Sequence, residues 1–112
     1  MPNQTAALDR VFQALADPTR RAVLERLGGG PAPVSELAGP FKMALPSFMQ
    51  HLDVLEKSRL VRSRKRGRVR TFELAPEPLK PAEAWMEKQR ALWTQRLDRL
   101  DAFLIKLKET EK

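Results

Sequence analysis

Leu60-Val61-Arg62-Ser63-Arg64-Lys65-Arg66-Gly67-Arg68-Val69-Arg70-Thr71-Phe72-Glu73-Leu74 is the stretch that decides the fold. Its two ends carry the period of two that belongs to strands: Leu60–Ser63 on one side and Val69–Leu74 on the other, with Phe72 and Leu74 on one face and Thr71 and Glu73 on the opposite one. Arg64-Lys65-Arg66-Gly67 joins them, and glycine in a short connection between strands signals a hairpin. A lone two-stranded hairpin is marginal in water, so it must lean on something else in the chain.

What it leans on lies upstream, where the period is 3.6. Pro46 suits the first turn of a helix running to about Arg59, with Met43, Phe48, Leu52 and Leu55 turned to the core. Before it, Val34, Leu37, Ala38 and Phe41 support a shorter helix, with Ser35 as a cap candidate and Gly39-Pro40 as its end. Short helix, tight turn and longer helix form the helix-turn-helix outline. Leu8, Val11, Phe12 and Leu15 mark one apolar stripe on a first helix over residues 5 to 16. Asp17-Pro18 supplies an N-cap acceptor and a proline at the first position of a second helix, which buries Val23, Leu24 and Leu27. Gly28-Gly29-Gly30-Pro31 stops it. The fold class is therefore mainly α with a small β-hairpin, a winged helix-turn-helix. One domain is expected over residues 1–112, with a core at 5–75 and a long C-terminal helix at 81–109, because 112 residues leave no room for two separate cores.

Charge points to the partner. The net charge is +7, and residues 59 to 70 hold Arg59, Arg62, Arg64, Lys65, Arg66, Arg68 and Arg70 with no acid among them. The rest of the chain then carries fourteen basic and fourteen acidic residues, which cancel. A compact positive patch on an otherwise neutral chain fits a polyanion, and duplex DNA above all. The plain alternative is a solvated arginine-rich loop. On the fourth helix, Ser47, Gln50, His51 and Val54 share a face away from Phe48, Leu52 and Leu55. Serine, glutamine and histidine can read base edges in a major groove, and glutamine can pair two ways with adenine. Arg62, Arg64, Lys65, Arg66 and Arg68 are expected to grip phosphates or the neighbouring minor groove, giving affinity rather than sequence preference.

Other chemistries find no support. With no cysteine, disulfides, thiolate metal sites and cysteine nucleophiles are excluded. His51 is the single histidine and cannot alone build a zinc site. The glycine run at 28–30 follows a helix, whereas phosphate loops follow a strand and end in Lys-Ser/Thr. Ser35, Ser47, Ser58 and Ser63 lack any arrangement that would activate them. We expect no enzyme, no catalytic residues, no cofactor and no metal. No apolar run long enough for a membrane span occurs, and Met1-Pro2-Asn3-Gln4 lacks the basic start and apolar middle of a secretory signal, so the expected compartment is cytoplasmic and no membrane partner is foreseen.

In the last helix Met86, Trp93, Leu100 and Leu107 fall seven apart, and Leu97 and Leu104 lie four beyond Trp93 and Leu100. Such a seam needs a partner: the first helix of the same chain, the matching helix of a second copy, or both. Leu8, Phe12, Met86, Trp93, Leu97, Leu100 and Leu104 are the candidate dimerisation residues, with Trp85 and Trp93 partly serving the core.

Three segments in order carry a family resemblance: Leu15-Ala16-Asp17-Pro18-Thr19-Arg20-Arg21, Gln50-His51-Leu52-Asp53-Val54-Leu55-Glu56, and Leu60 through Arg68. Together they resemble the ArsR family of bacterial winged-helix repressors over residues 8 to 75. The resemblance implies a homodimer joined by its first and last helices, the fourth helix in the major groove of palindromic operator DNA, and groove contacts by Ser47, Gln50 and His51 beside a wing at Arg64 to Arg68. Many members hold inducing metals on cysteines or on His and acid pairs; this sequence has neither and is similar to the non-metal branch, in which a small-molecule effector is left open. Ala44 stands where a capping serine or threonine is common, and Asp53 puts an acid where a base is frequent. Two other classes share these features: a sequence-neutral nucleic-acid binder and a winged-helix protein-interaction module.

Overall fold

The computed structural model describes residues 4–110. Its elements are α1 (Gln4–Leu15), α2 (Pro18–Leu27), β1 (Ala32–Pro33), α3 (Val34–Ala38), α4 (Leu45–Lys57), β2 (Val61–Arg66), β3 (Val69–Leu74) and α5 (Leu79–Thr110). The chain divides into two compact units, residues 1–82 and 83–112. No helix among the described residues is long and apolar enough to cross a membrane.

In the first unit the helices converge on one core. Phe48, Leu52 and Leu55 of α4 meet Val11 and Ala14 of α1, Val23 and Leu27 of α2, Leu37 of α3 and Phe72 of β3, all nearly inaccessible to solvent. Leu8 and Phe12 are partly buried against the same core, so the first helix spends much of its stripe at home. Asp17 caps α2 as expected, its Oδ2 accepting from the Arg20 amide at 3.1 Å, with Pro18 in the first turn.

Several local expectations need correction. The hairpin is part of a three-stranded antiparallel sheet in the order β1-β3-β2, because Ala32 and Pro33 pair with Phe72 and Thr71. Strand β2 runs on to Arg66, so the connection is only Gly67-Arg68 rather than residues 64–67. Gly67 has φ +60°, and Arg68 is not among the positive-φ residues, the pattern of a II′ turn whose twist matches the flanking strands. Ser35 does not cap α3: Pro33 occupies the cap position and offers no side-chain acceptor. Phe41 lies beyond α3 but stacks on Phe48 with ring centroids 5.5 Å apart. Met43 is exposed rather than core, since α4 begins only at Leu45 and Met43 falls in the preceding turn.

The second unit is the body of α5. Trp85 and Trp93 are 45% and 61% exposed, and Met86, Leu97, Leu100 and Leu104 are comparably open. The tryptophans are therefore not core, and no residue from 83 to 110 is buried within the chain. The helix starts at Leu79, two residues before the expected 81.

Candidate nucleic-acid interface

Burial fixes which face of α4 is presented. With Phe48, Leu52 and Leu55 inward, the 100° step per residue turns Pro46, Gln50, Asp53 and Lys57 outward, and all four are exposed. Ser47 is exposed at the flank of this ridge. The grouping of Ser47, Gln50, His51 and Val54 is thus only half outward: Val54 packs partly on the core and the His51 side chain is 23% exposed. Asp53 does not stand as a bare acid, because Lys57 holds it at 2.9 Å one turn on.

His51 is held by α2. Arg20 Nη1 lies 3.0 Å from His51 Nδ1; a guanidinium has no acceptor, so in this contact Nδ1 accepts and Nε2 is the nitrogen left to donate. The same guanidinium donates from Nε to the Ala14 carbonyl at 3.0 Å and from Nη2 to the Gln13 carbonyl at 2.7 Å. Arg21 donates to the Leu15 carbonyl at 2.8 Å. Two consecutive arginines of α2 therefore serve carbonyls at the end of α1, of which that of Gln13 also accepts from the Ala16 amide at 3.2 Å. Asp17 Oδ2 sits 3.7 Å from His51 Nδ1. Burial opposes the charge on Asp17, but the Arg20 amide, the His51 ring, the Arg20 guanidinium and the Thr19 amide together outweigh it and hold the carboxyl below its ordinary value of 3.8.

The wing is fastened to α4 by a second joint. Glu56 accepts from Arg70 Nη2 through one oxygen and from the Ser63 hydroxyl at 3.1 Å through the other, while Arg70 Nε donates to Ser63 Oγ at 3.0 Å. Arg70 also stacks over Phe72, 5.2 Å from its centroid. It is a brace and not a free cation. At the helix end, buried Ser58 donates to the Leu55 carbonyl at 2.7 Å and accepts from the Leu60 amide at 3.3 Å, setting where β2 departs.

The remaining cations fall into two groups. Arg62 and Arg64 share Glu73, at 3.3 and 3.8 Å, in exposed pairs that contribute little to stability. Lys65, Arg66 and Arg68 are exposed at the tip and form no ion pair among the described residues. Sequence reading did not single out Arg20, Arg21, Glu56 or Arg70 for these roles. The Asp-Pro-Thr-Arg-Arg run was visible, yet its cross-helix partners are set by tertiary packing.

A helix-turn-helix domain model matches residues 15–64. The chain is 43% identical over 89 residues to the HTH-type transcriptional regulator Rv2034 of Mycobacterium tuberculosis, covering 80% of each chain. It is 30% identical over 79 residues to the transcriptional repressor SdpR of Bacillus subtilis, covering 70% of this chain and 88% of that one. A crystal structure of an ArsR family transcriptional regulator, RHA00566, superposes with a TM-score of 0.78 at 56% identity, covering 84% of this chain and 97% of that chain. A homodimeric winged helix-turn-helix DNA-binding domain from Mycobacterium bovis superposes with a TM-score of 0.60 at 26% identity, covering 79% and 83%. With the helix-turn-helix, the wing and the Asp17 to Arg21 joint in place, the chain belongs to the ArsR family of winged helix-turn-helix, DNA-binding transcriptional regulators.

Proposed function

We propose that the protein acts as a homodimeric repressor, its two α4 helices entering successive major grooves of a palindromic operator about 34 Å apart. The observation that carries this is the Glu56–Arg70–Ser63 joint, which makes recognition helix and wing one body. Ser47 and Gln50 on α4 would face base edges, with His51 Nε2 beside them, while Lys65, Arg66 and Arg68 meet phosphates and Arg62 and Arg64 exchange Glu73 for the backbone. An operator partner puts the site of action in the cytoplasm. The exposed seam of Met86, Trp93, Leu97, Leu100 and Leu104 supports self-association, since monomers rarely leave so long an apolar stripe uncovered. The homodimeric domain from Mycobacterium bovis favours the same assembly, with Leu8 and Phe12 contributing at its edge. The name of SdpR favours repression as the sign of regulation.

Selection of bound fragments from random duplex DNA tests this directly. A two-fold symmetric motif with half-sites about one helical turn apart is the expected result. Recovery of an unbiased pool would leave a sequence-neutral binder instead, and absence of any complex at physiological salt would leave a protein-interaction module.

A further inference from the structure

At the end of α4 away from Ser47, a cavity of about 370 Å³ lies among α1, the last turn of α4 and the start of α5. Leu8, Val11, Pro78 and Pro81 give it apolar walls, and Arg10, Lys57 and Arg59 stand around it with no carboxylate in the lining. Lys57 is paired with Asp53, but Arg10 and Arg59 form no ion pair among the described residues. A neighbouring hollow beyond Arg59 is lined by Glu56 and Glu77 as well as Arg62 and so has no preference of sign.

DNA reading does not account for these cations. Ten residues of helix separate Lys57 from Ser47, about 15 Å along the axis, and the recognition end of such a helix is its N-terminus. Arg59 is notable for a second reason. It is the one non-glycine with positive φ among the described residues, at 65°, a conformation that glycine adopts with less strain. A guanidinium is thus kept where the backbone would favour no side chain, and strain of that kind gathers at functional positions.

We propose that this cavity binds a small apolar monocarboxylate, its chain against Leu8, Val11 and the prolines and its carboxylate received by Arg10 and Arg59. Mostly apolar walls with a few converging polar groups describe a small-molecule site, and the planar guanidinium matches a carboxylate in geometry. The volume corresponds to about a dozen water molecules, room for an acid of about eight carbons. The proposal takes from the DNA-binding mode only that the N-terminus of α4 faces the duplex, and its test uses no DNA, so the two stand or fall separately.

The test is equilibrium dialysis and titration calorimetry of the full chain with sodium octanoate. Acetate supplies a head without a chain, and 1-octanol a chain without a head. Saturable binding of one octanoate per chain is expected, with acetate and 1-octanol at least about tenfold weaker. Arg59→Gly, which suits the backbone and so keeps the fold, and Arg10→Ala should each weaken octanoate about tenfold or more, while Arg66→Ala at the wing leaves it unchanged. The proposal is overturned by no saturable binding, by acetate equal to octanoate, or by parental affinity in Arg59→Gly and Arg10→Ala. Because Leu8 is also near the expected dimer edge, sedimentation velocity accompanies the titration. Octanoate that merely splits the assembly, without a bound stoichiometric ligand, also overturns it.

Discussion

Arg20 reaches from α2 to His51 on α4, Nη1 to Nδ1 at 3.0 Å, while its other two nitrogens hold the Ala14 and Gln13 carbonyls of α1. One side chain therefore ties three helices together, including the one that carries Ser47 and Gln50. Arg20→Ala leaves the Ala14 carbonyl and a ring nitrogen short of a donor in a half-buried place, while the exposed Gln13 carbonyl keeps the Ala16 amide; this should destabilise the fold by about 2 kcal/mol in urea unfolding. Arg20→Lys should recover little, because an ammonium cannot fork to three acceptors. A loss under about 0.5 kcal/mol would show the fork to be dispensable.

Asp17 links this joint to pH. Its carboxyl is held below 3.8 in the fold by amides and cations that overcome its burial. A depressed folded value means stability that is complete above the unfolded value and is lost as pH falls through the folded one. Asp17→Ala should cost about 1 kcal/mol at pH 6, and the gap between the two proteins should narrow below about pH 4. Thermal melts from pH 6 to pH 3 check this; a constant gap would mean that the charge on Asp17 contributes nothing beyond its shape.

Gln50 and Arg66 should separate reading from gripping. Gln50→Ala is expected to lower affinity for the selected site by about tenfold or more while leaving random duplex nearly unchanged. Arg66→Ala should weaken both equally and reduce the salt slope by about one. Titrations of both duplexes at several salt concentrations decide it. Matching losses for the two variants would count against base reading by α4.

Asp53 sits on the exposed ridge of α4, its charge shared with Lys57 at 2.9 Å. Asp53→Asn removes an acid from the α4 ridge proposed to meet DNA, so affinity for random duplex should rise about twofold to tenfold at low salt, fading as salt is added. Unchanged affinity at low salt would place this ridge outside the phosphate field.

What the chain discloses in one dimension follows from how local each signal is. Asp17-Pro18 is a cap and a first-turn proline, both set within four residues, and the structure has them where expected. The turn at Gly67 was legible as glycine between strands, but its exact length was not, since arginines extend a strand as readily as they fill a loop. Strand β1 is two residues long, too short for any alternation, and exists only because Phe72 and Thr71 offer an edge. The exposure of Gln50 followed from helical phase alone. The retention of His51 by Arg20, thirty-one residues away, depends on how α2 crosses α4, which no local pattern encodes. Trp85 and Trp93 show the opposite failure, since apolar character alone does not say whether a residue is covered by its own chain.

Glu56 gives the sharpest separation of effects, because structure and charge demand opposite outcomes. Viewed as a charge, it is an acid near a cationic wing, and its removal should strengthen DNA binding. Viewed as a joint, it holds Arg70 and Ser63 and so fixes β2 and β3 on α4. Glu56→Ala should lower stability by about 1–3 kcal/mol, since a half-buried guanidinium loses its acceptor. If wing and helix must act as one body, it should also weaken operator binding by about tenfold while random duplex binds as well or better, the freed Arg70 adding a cation to a looser hairpin. Fluorescence anisotropy with both duplexes, below the melting range of the variant, reads the two directions at once. Stronger binding to both duplexes would show that charge outweighs geometry, and that the wing works independently of the helix beside it.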